Sequence, residues 1–285
     1  MIRLAVRCNP ELAERVLAEL VELVPGGVEE ERGRTYVEYA IYGEPGEMPT
    51  LPTLTAAAGD GLVEIETSEV PDDWGDRWRD FHRPIEIGDR LVVRPSWERT
   101  PEPADGRRAG ALVEVVIDPG QAFGTGSHAT TQMCLELLLG LADEDRSHGP
   151  LVDLGTGSGV LAIAGAKLGW QPVSGFDHEV AAVEAARGNA AINDAALEVR
   201  RLNLRDEGPP LASTVVANLT ARLLETVAGA IGRSPGTVDQ LVCSGLLQAE
   251  ADDIASTFEA AGLEERKRLV DGDWAALRLE ATTAP

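Results

Sequence analysis

The chain has 285 residues, 44% of them hydrophobic and only 4% aromatic, enough to bury a full core and to build two domains. Its formal net charge of −23 repels bare nucleic acid and favours basic protein partners, although a generally acidic host would produce the same balance. With no apolar run of about 18 residues and no secretory-leader layout in MIRLAVRCNPELAERV, the expectation is a cytoplasmic protein that touches no membrane.

Residues 2–8 alternate apolar and polar side chains (Ile2, Leu4, Val6), the period of a half-buried strand. Asn9-Pro10 reads as an N-cap and first-turn proline, and Leu12, Val16, Leu20 and Leu23 keep helical spacing up to Pro25-Gly26. Strands are expected over 27–31, 35–42 and 62–66, with Pro45, Pro49 and Pro52 leaving room only for a short, late helix between the last two. The order βαββ(α)β predicts a small N-terminal ferredoxin-like α+β domain over residues 1–66. It carries no catalytic constellation and reads as a recognition or spacer module.

Residues 67–111 form a connection. An aromatic-rich helix is expected over 72–82, with Trp74, Trp78 and Phe81 as core residues, then a hairpin over 84–97 turning at Gly88-Asp89. The Pro-, Gly- and charge-rich stretch 99–110 is expected to be a solvent loop. Cys8, Cys134 and Cys243 stand far apart, with no C-x-x-C and no histidine pair nearby, so they read as reduced core thiols and no metal is expected.

A strand over 112–117 leads into DPGQAFGTGSHATT (118–131), followed by a helix carrying Met133, Leu135, Leu137 and Leu138. Thr130 or Thr131 can satisfy the first amides of that helix. Capping alone does not require Phe123-Gly124-Thr125-Gly126 ahead of it; so glycine-rich a loop can close over a ligand, with Phe123 excluding water.

Residues 149–177 are the centre of the chain: a short strand ending in Asp153, glycines at 155, 157 and 159, a helix from Val160, and a second strand ending in Asp177. Strand, glycine turn, helix, strand, acid is the order in which α/β folds hold an adenosine-containing ligand. The spacing is D-x-G-x-G-x-G rather than G-x-G-x-x-G, and the loop has no basic residue for a pyrophosphate. A cationic ligand without phosphate, such as S-adenosylmethionine, suits it better than NAD, and Asp177 stands where it can accept both ribose hydroxyls. The hydride-transfer residue set of an oxidoreductase is not visible.

Helices over 180–192, 221–231 and 248–261 alternate with strands over 197–202, 214–217 and 238–243, and a hairpin turning at 271–273 closes the chain. This predicts an α/β fold, the Rossmann-like seven-stranded class I methyltransferase domain, over 112–285. Asp206, beyond the 197–202 strand, is a candidate acceptor for an adenine amino group or a solvated loop acid. Asn218 ends the 214–217 strand. Methylating nitrogen needs a neutral amine with its lone pair in line with the methyl group, and an asparagine carbonyl or the next backbone carbonyl can hold that line. An asparagine that only makes a turn is the plainer alternative.

DPGQAFGTGSHATT, VDLGTGSGVLAI (152–163), GFDHEVAAVEAARGN (175–189), ANLTA (217–221) and the SGLLQAE and GDWAAL segments together resemble the ribosomal protein methyltransferase A (PrmA) family. The resemblance spans about 72–285; residues 1–66 agree mainly in layout. It implies S-adenosylmethionine-dependent methylation of lysine side chains and the N-terminal amine of the stalk-base ribosomal protein L11. The substrate would be free protein bound by residues 1–66, the enzyme a monomer without nucleic acid contact. Position by position, the family's cofactor contacts fall on Thr131, Gly155, Asp177 and Asn218. Phe123 and Gly124 line the same pocket, Gly157 belongs to the cofactor loop, and Asn218 is the catalytic residue. The chain departs from the family pattern at Ala129, where proline is usual, at Thr156, where cysteine is common, and at His178-Glu179 in place of acid-proline. Another protein lysine or a small amine is the alternative substrate.

Overall fold

The computed structural model describes residues 2–23, 29–33, 35–43, 55, 62–69, 83–101, 111–118 and 125–282. These fall into two compact units, one holding the described residues up to 69 and the other the described residues from 83 onward.

In the first unit the period-two pattern forms β1 (Ile2–Cys8), with Leu4, Val6 and Cys8 buried. Asn9 accepts from the Glu11 amide (3.1 Å), and Pro10 opens the 3-10 turn that runs into α1 (Ala13–Leu23). Strands β2 (Glu29–Arg32), β3 (Val37–Gly43) and β4 (Leu62–Glu69) complete an antiparallel sheet of order β2-β3-β1-β4. That is the strand order of a ferredoxin-like sheet. Tyr39 donates its hydroxyl to the Ala13 carbonyl (2.9 Å), pinning α1 to β3. On the other face Glu38 sits between Arg3 and Arg7, and Arg7 also reaches Glu64 (2.7 Å) and Glu66 (2.9 Å). Burial opposes ionisation of Glu38, yet the two guanidiniums outweigh it and hold its carboxyl below the usual range. The expected short helix between β3 and β4, the aromatic helix over 72–82 and most of the 99–110 loop lie outside the described residues.

The second unit opens with the expected hairpin, β5 (Ile85–Ile87) and β6 (Leu91–Arg94); β7 (Val113–Val116) then joins β6 in parallel. After α2 (Ala129–Asp143) come β8 (Leu151–Leu154), α3 (Val160–Leu168), β9 (Val173–Asp177), α4 (Val180–Ile192) and β10 (Leu197–Arg201). The chain continues through α5 (Leu204–Glu207), β11 (Thr214–Asn218), α6 (Ala221–Arg233), β12 (Gln240–Leu247) and α7 (Ala251–Ala260) to the hairpin β13 (Leu263–Asp271) and β14 (Trp274–Ala281). The seven-stranded sheet has the order β10-β9-β8-β11-β12-β14-β13, with β14 alone antiparallel to the strands it joins.

Both faces of the sheet are covered, so the inner strands read as continuous apolar runs. Leu135, Leu138, Leu161 and Ile163 of α2 and α3 form one core; Leu224, Val227, Ile254 and Phe258 of α6 and α7 form the other. The three cysteines are buried thiols, and burial pushes those of Cys134 and Cys243 up. Chain order reverses between β8 and β11, so their C-terminal ends flank a topological switch point, where open α/β sheets bind ligands.

Candidate cofactor and transfer site

The glycine loop leaves β8 with its first two amides tied to the neighbouring strand: Gly155 and Thr156 both donate to the Phe176 carbonyl (2.8 and 2.9 Å). Gly155, Gly157 and Gly159 take φ values of +72, +53 and +85. At Gly155 a Cβ would also lie 2.4 Å from Leu219 Cδ2, so that methyl group would have to turn away to admit a side chain. Beneath the loop, fully buried Asp153 accepts from the Thr156 hydroxyl (2.7 Å) and the Ala162 amide (3.2 Å) with one oxygen. Its other oxygen has no hydrogen-bond partner among the described residues, and burial lifts the carboxyl to about 7.

Asp177 closes the loop from β9. One carboxylate oxygen accepts from the Gly157 amide (2.9 Å), the other from the Glu179 amide (3.0 Å). A carboxylate oxygen has two lone pairs, so the oxygen facing Gly157 keeps one for a ribose hydroxyl, while the other also has His178 Nδ1 at 3.4 Å. The loop around it is free of lysine and arginine, so the Asp177 carboxylate favours a cationic ligand over a phosphate. Asp206, by contrast, accepts from Asn203 Nδ2 (2.7 Å) on an exposed turn.

Asn218 stands at the end of β11, across the switch point from the loop. Its amide nitrogen donates to the hydroxyls of Thr130 (3.2 Å) and Thr131 (3.3 Å), each only 1% exposed. These threonines are therefore not the caps of α2. That part falls to His128, whose Nδ1 lies 2.8 Å from Thr130 Oγ1 and accepts from the Thr130 amide (3.4 Å), while its ring meets Trp274 edge-on at 5.0 Å. The structure thus brings Gly155, Gly157 and Asp177 together, and Thr131 with Asn218. Phe123 and Gly124 lie outside the described residues.

Two residues here escape sequence reasoning. Asn189 of α4 donates to the Ser158 carbonyl in the glycine loop (2.8 Å) and accepts from the amide of Asp118 (3.2 Å), the first residue of the 118–131 stretch. One turn later Asn193 bonds both the amide (2.8 Å) and the carbonyl (2.6 Å) of Val116 in β7. Their i, i+4 spacing on a helix was the only available signal.

A seven-stranded sheet of this order, with an acid ending β9 and an asparagine ending β11, defines a Rossmann-like class I methyltransferase that uses S-adenosylmethionine. The residues present fit that cofactor: Asp177 can take the ribose, and the glycines of the loop admit close approach. Residues 48–282 match the family described as ribosomal protein L11 methyltransferase (PrmA), and the chain belongs to that family. The ribosomal protein L11 methyltransferase of Shewanella sp. (strain ANA-3) is 37% identical over 230 residues, 78% of this chain and 74% of the relative. That of Pelotomaculum thermopropionicum is 39% identical over 218 residues, 74% of this chain and 67% of the relative. A crystal structure of ribosomal protein L11 methylase from Lactobacillus delbrueckii subsp. bulgaricus aligns with a TM-score of 0.59 and 26% identity, covering 71% of this chain and 100% of that one.

Proposed function

We propose that this protein methylates lysine side chains and the N-terminal α-amine of ribosomal protein L11. When bound, S-adenosylmethionine supplies a methyl group made electrophilic by its sulfonium. Gly155, Gly157 and Asp177 hold the cofactor, with Thr131, Phe123 and Gly124 completing its pocket. Asn218 orients the amine.

The observation that carries this reading is the direction of the Asn218 amide. Its nitrogen donates to two threonine hydroxyls, while its oxygen accepts nothing among the described residues. An oxygen held this way can accept an N–H of a neutral amine and aim the lone pair, which is catalysis by orientation. No strong base is needed if the amine arrives unprotonated. An acid at this point would instead stabilise ammonium, which has no lone pair to give.

Residues 1–66 recognise the free ribosomal protein of the stalk base, and the net charge of −23 favours a basic protein over nucleic acid. The enzyme works in the cytoplasm as a monomer. The test is label transfer from S-adenosylmethionine to free L11, with the product mapped by mass spectrometry. Methyl increments on lysines or the α-amine are expected; cofactor binding without transfer to L11 would reject this substrate.

A further inference from the structure

We infer that Gly245 is a positioning residue for the transfer step, and that its missing side chain fixes the acceptor groups at Asn218–Leu219. This rests on the role given to Asn218 above. Gly245 has φ +84, and a Cβ there would lie 2.5 Å from the Leu219 carbonyl oxygen, 2.8 Å from its carbon and 2.9 Å from its nitrogen. All three are backbone atoms, so no rotamer change relieves the collision.

The surroundings hold this close approach in place. Asn218 is paired with Ser244 at the end of the β11–β12 ladder, and the Leu219 amide donates to the Ser244 carbonyl (2.9 Å). The β12–β14 register shifts between Cys243 and Leu246, so Gly245 sits in an irregularity of its strand. The Ser244 hydroxyl ties that irregularity to β14 through the Ala275 carbonyl (2.8 Å). On its other side, Leu219 lies against Gly155 of the cofactor loop. Leu219 is thus clamped between two positions without side chains, and the peptide carrying the Asn218 carbonyl is clamped with it.

An ordinary turn glycine would need only its positive φ. Gly262 provides that control, since it has φ +93 and nothing within 4 Å of a Cβ. Gly245→Ala and Gly262→Ala impose similar backbone strain, but only the first drives a methyl group into the Leu219 backbone. The experiment measures single-turnover methyl transfer to L11 at saturating cofactor, S-adenosylmethionine affinity by calorimetry, and thermal midpoint. Gly245→Ala is expected to slow transfer about 10²-fold while keeping cofactor affinity within about threefold. Gly262→Ala should lose thermal midpoint and keep its rate. Should Gly245→Ala not fold, Ser244→Ala loosens the same irregularity and should slow transfer about threefold to tenfold, again without loss of cofactor affinity. Equal rates for Gly245→Ala (or Ser244→Ala) and Gly262→Ala overturn the inference. So does a fall in cofactor affinity that matches the fall in rate, which would place the effect in the glycine loop. The wild-type rate on L11 tests the functional reading separately.

Discussion

Replacing Asp153 with asparagine should remove a pH-dependent loss of stability. Burial, reinforced by the charge of Asp177 and partly offset by hydrogen bonds from Thr156 and Ala162, lifts the Asp153 carboxyl from 3.8 to about 7. In the unfolded chain the same group ionises at about pH 4. Over the window between, the native state keeps a proton that the unfolded chain has released, so stability falls as pH rises. Each pH unit of that window costs about 1.4 kcal/mol. Above about pH 7 the native carboxyl ionises too and the curve levels, which makes the loss from pH 5 to pH 8 about 2–3 kcal/mol. An asparagine can still accept from Thr156 and Ala162 but has no proton to lose. Urea unfolding of both proteins across this range, at constant ionic strength, gives the difference directly. Wild type should lose about 2–3 kcal/mol more than Asp153→Asn. Parallel profiles would refute the reasoning, because they would mean the buried carboxyl has the same charge in both states.

Asp177→Ala should weaken S-adenosylmethionine binding about 10²-fold by calorimetry, as two charge-assisted acceptors are lost; unchanged affinity would remove Asp177 from the ribose site. Asn218→Ala should slow single-turnover transfer about 10²-fold with cofactor affinity nearly kept, and equal losses in both would reduce Asn218 to a cofactor contact. Asn189→Leu deletes two hydrogen bonds and leaves their backbone partners short, a destabilisation of about 2–4 kcal/mol. It should also raise KM for the cofactor, since the Ser158 carbonyl loses its tie to α4; a stability loss with unchanged KM would limit Asn189 to scaffolding.

Much of the second unit was legible because its signals are local. The glycine spacing, the acid at 177 and the unbroken apolar run before Asn218 each specify a turn or a buried strand within a few residues. The closing hairpin at 271–273 was equally plain, with Asp271 opposite Trp274 across Gly272-Asp273. What stayed hidden depends on partners far along the chain. Thr130 and Thr131 look like helix caps, and nothing nearby reveals that Asn218, 88 and 87 residues away, claims their hydroxyls. His128 then caps in their stead. The hairpin at 85–94 was visible, but not its parallel union with β7, which follows a long excursion. Asn189 and Asn193 look like polar residues of an exposed helix face, yet both are buried against backbone groups more than 70 positions earlier.

Asn193 has one more consequence. Strand β7 is one of the two outer strands of its three-stranded sheet, and an outer strand offers unpaired amides and carbonyls to any extended peptide that approaches. At Val116 both groups are already taken, by a single side chain that supplies a donor and an acceptor at the spacing a neighbouring strand would. A helix thereby serves as a surrogate strand one residue long. At that one position the edge is closed to an extended peptide.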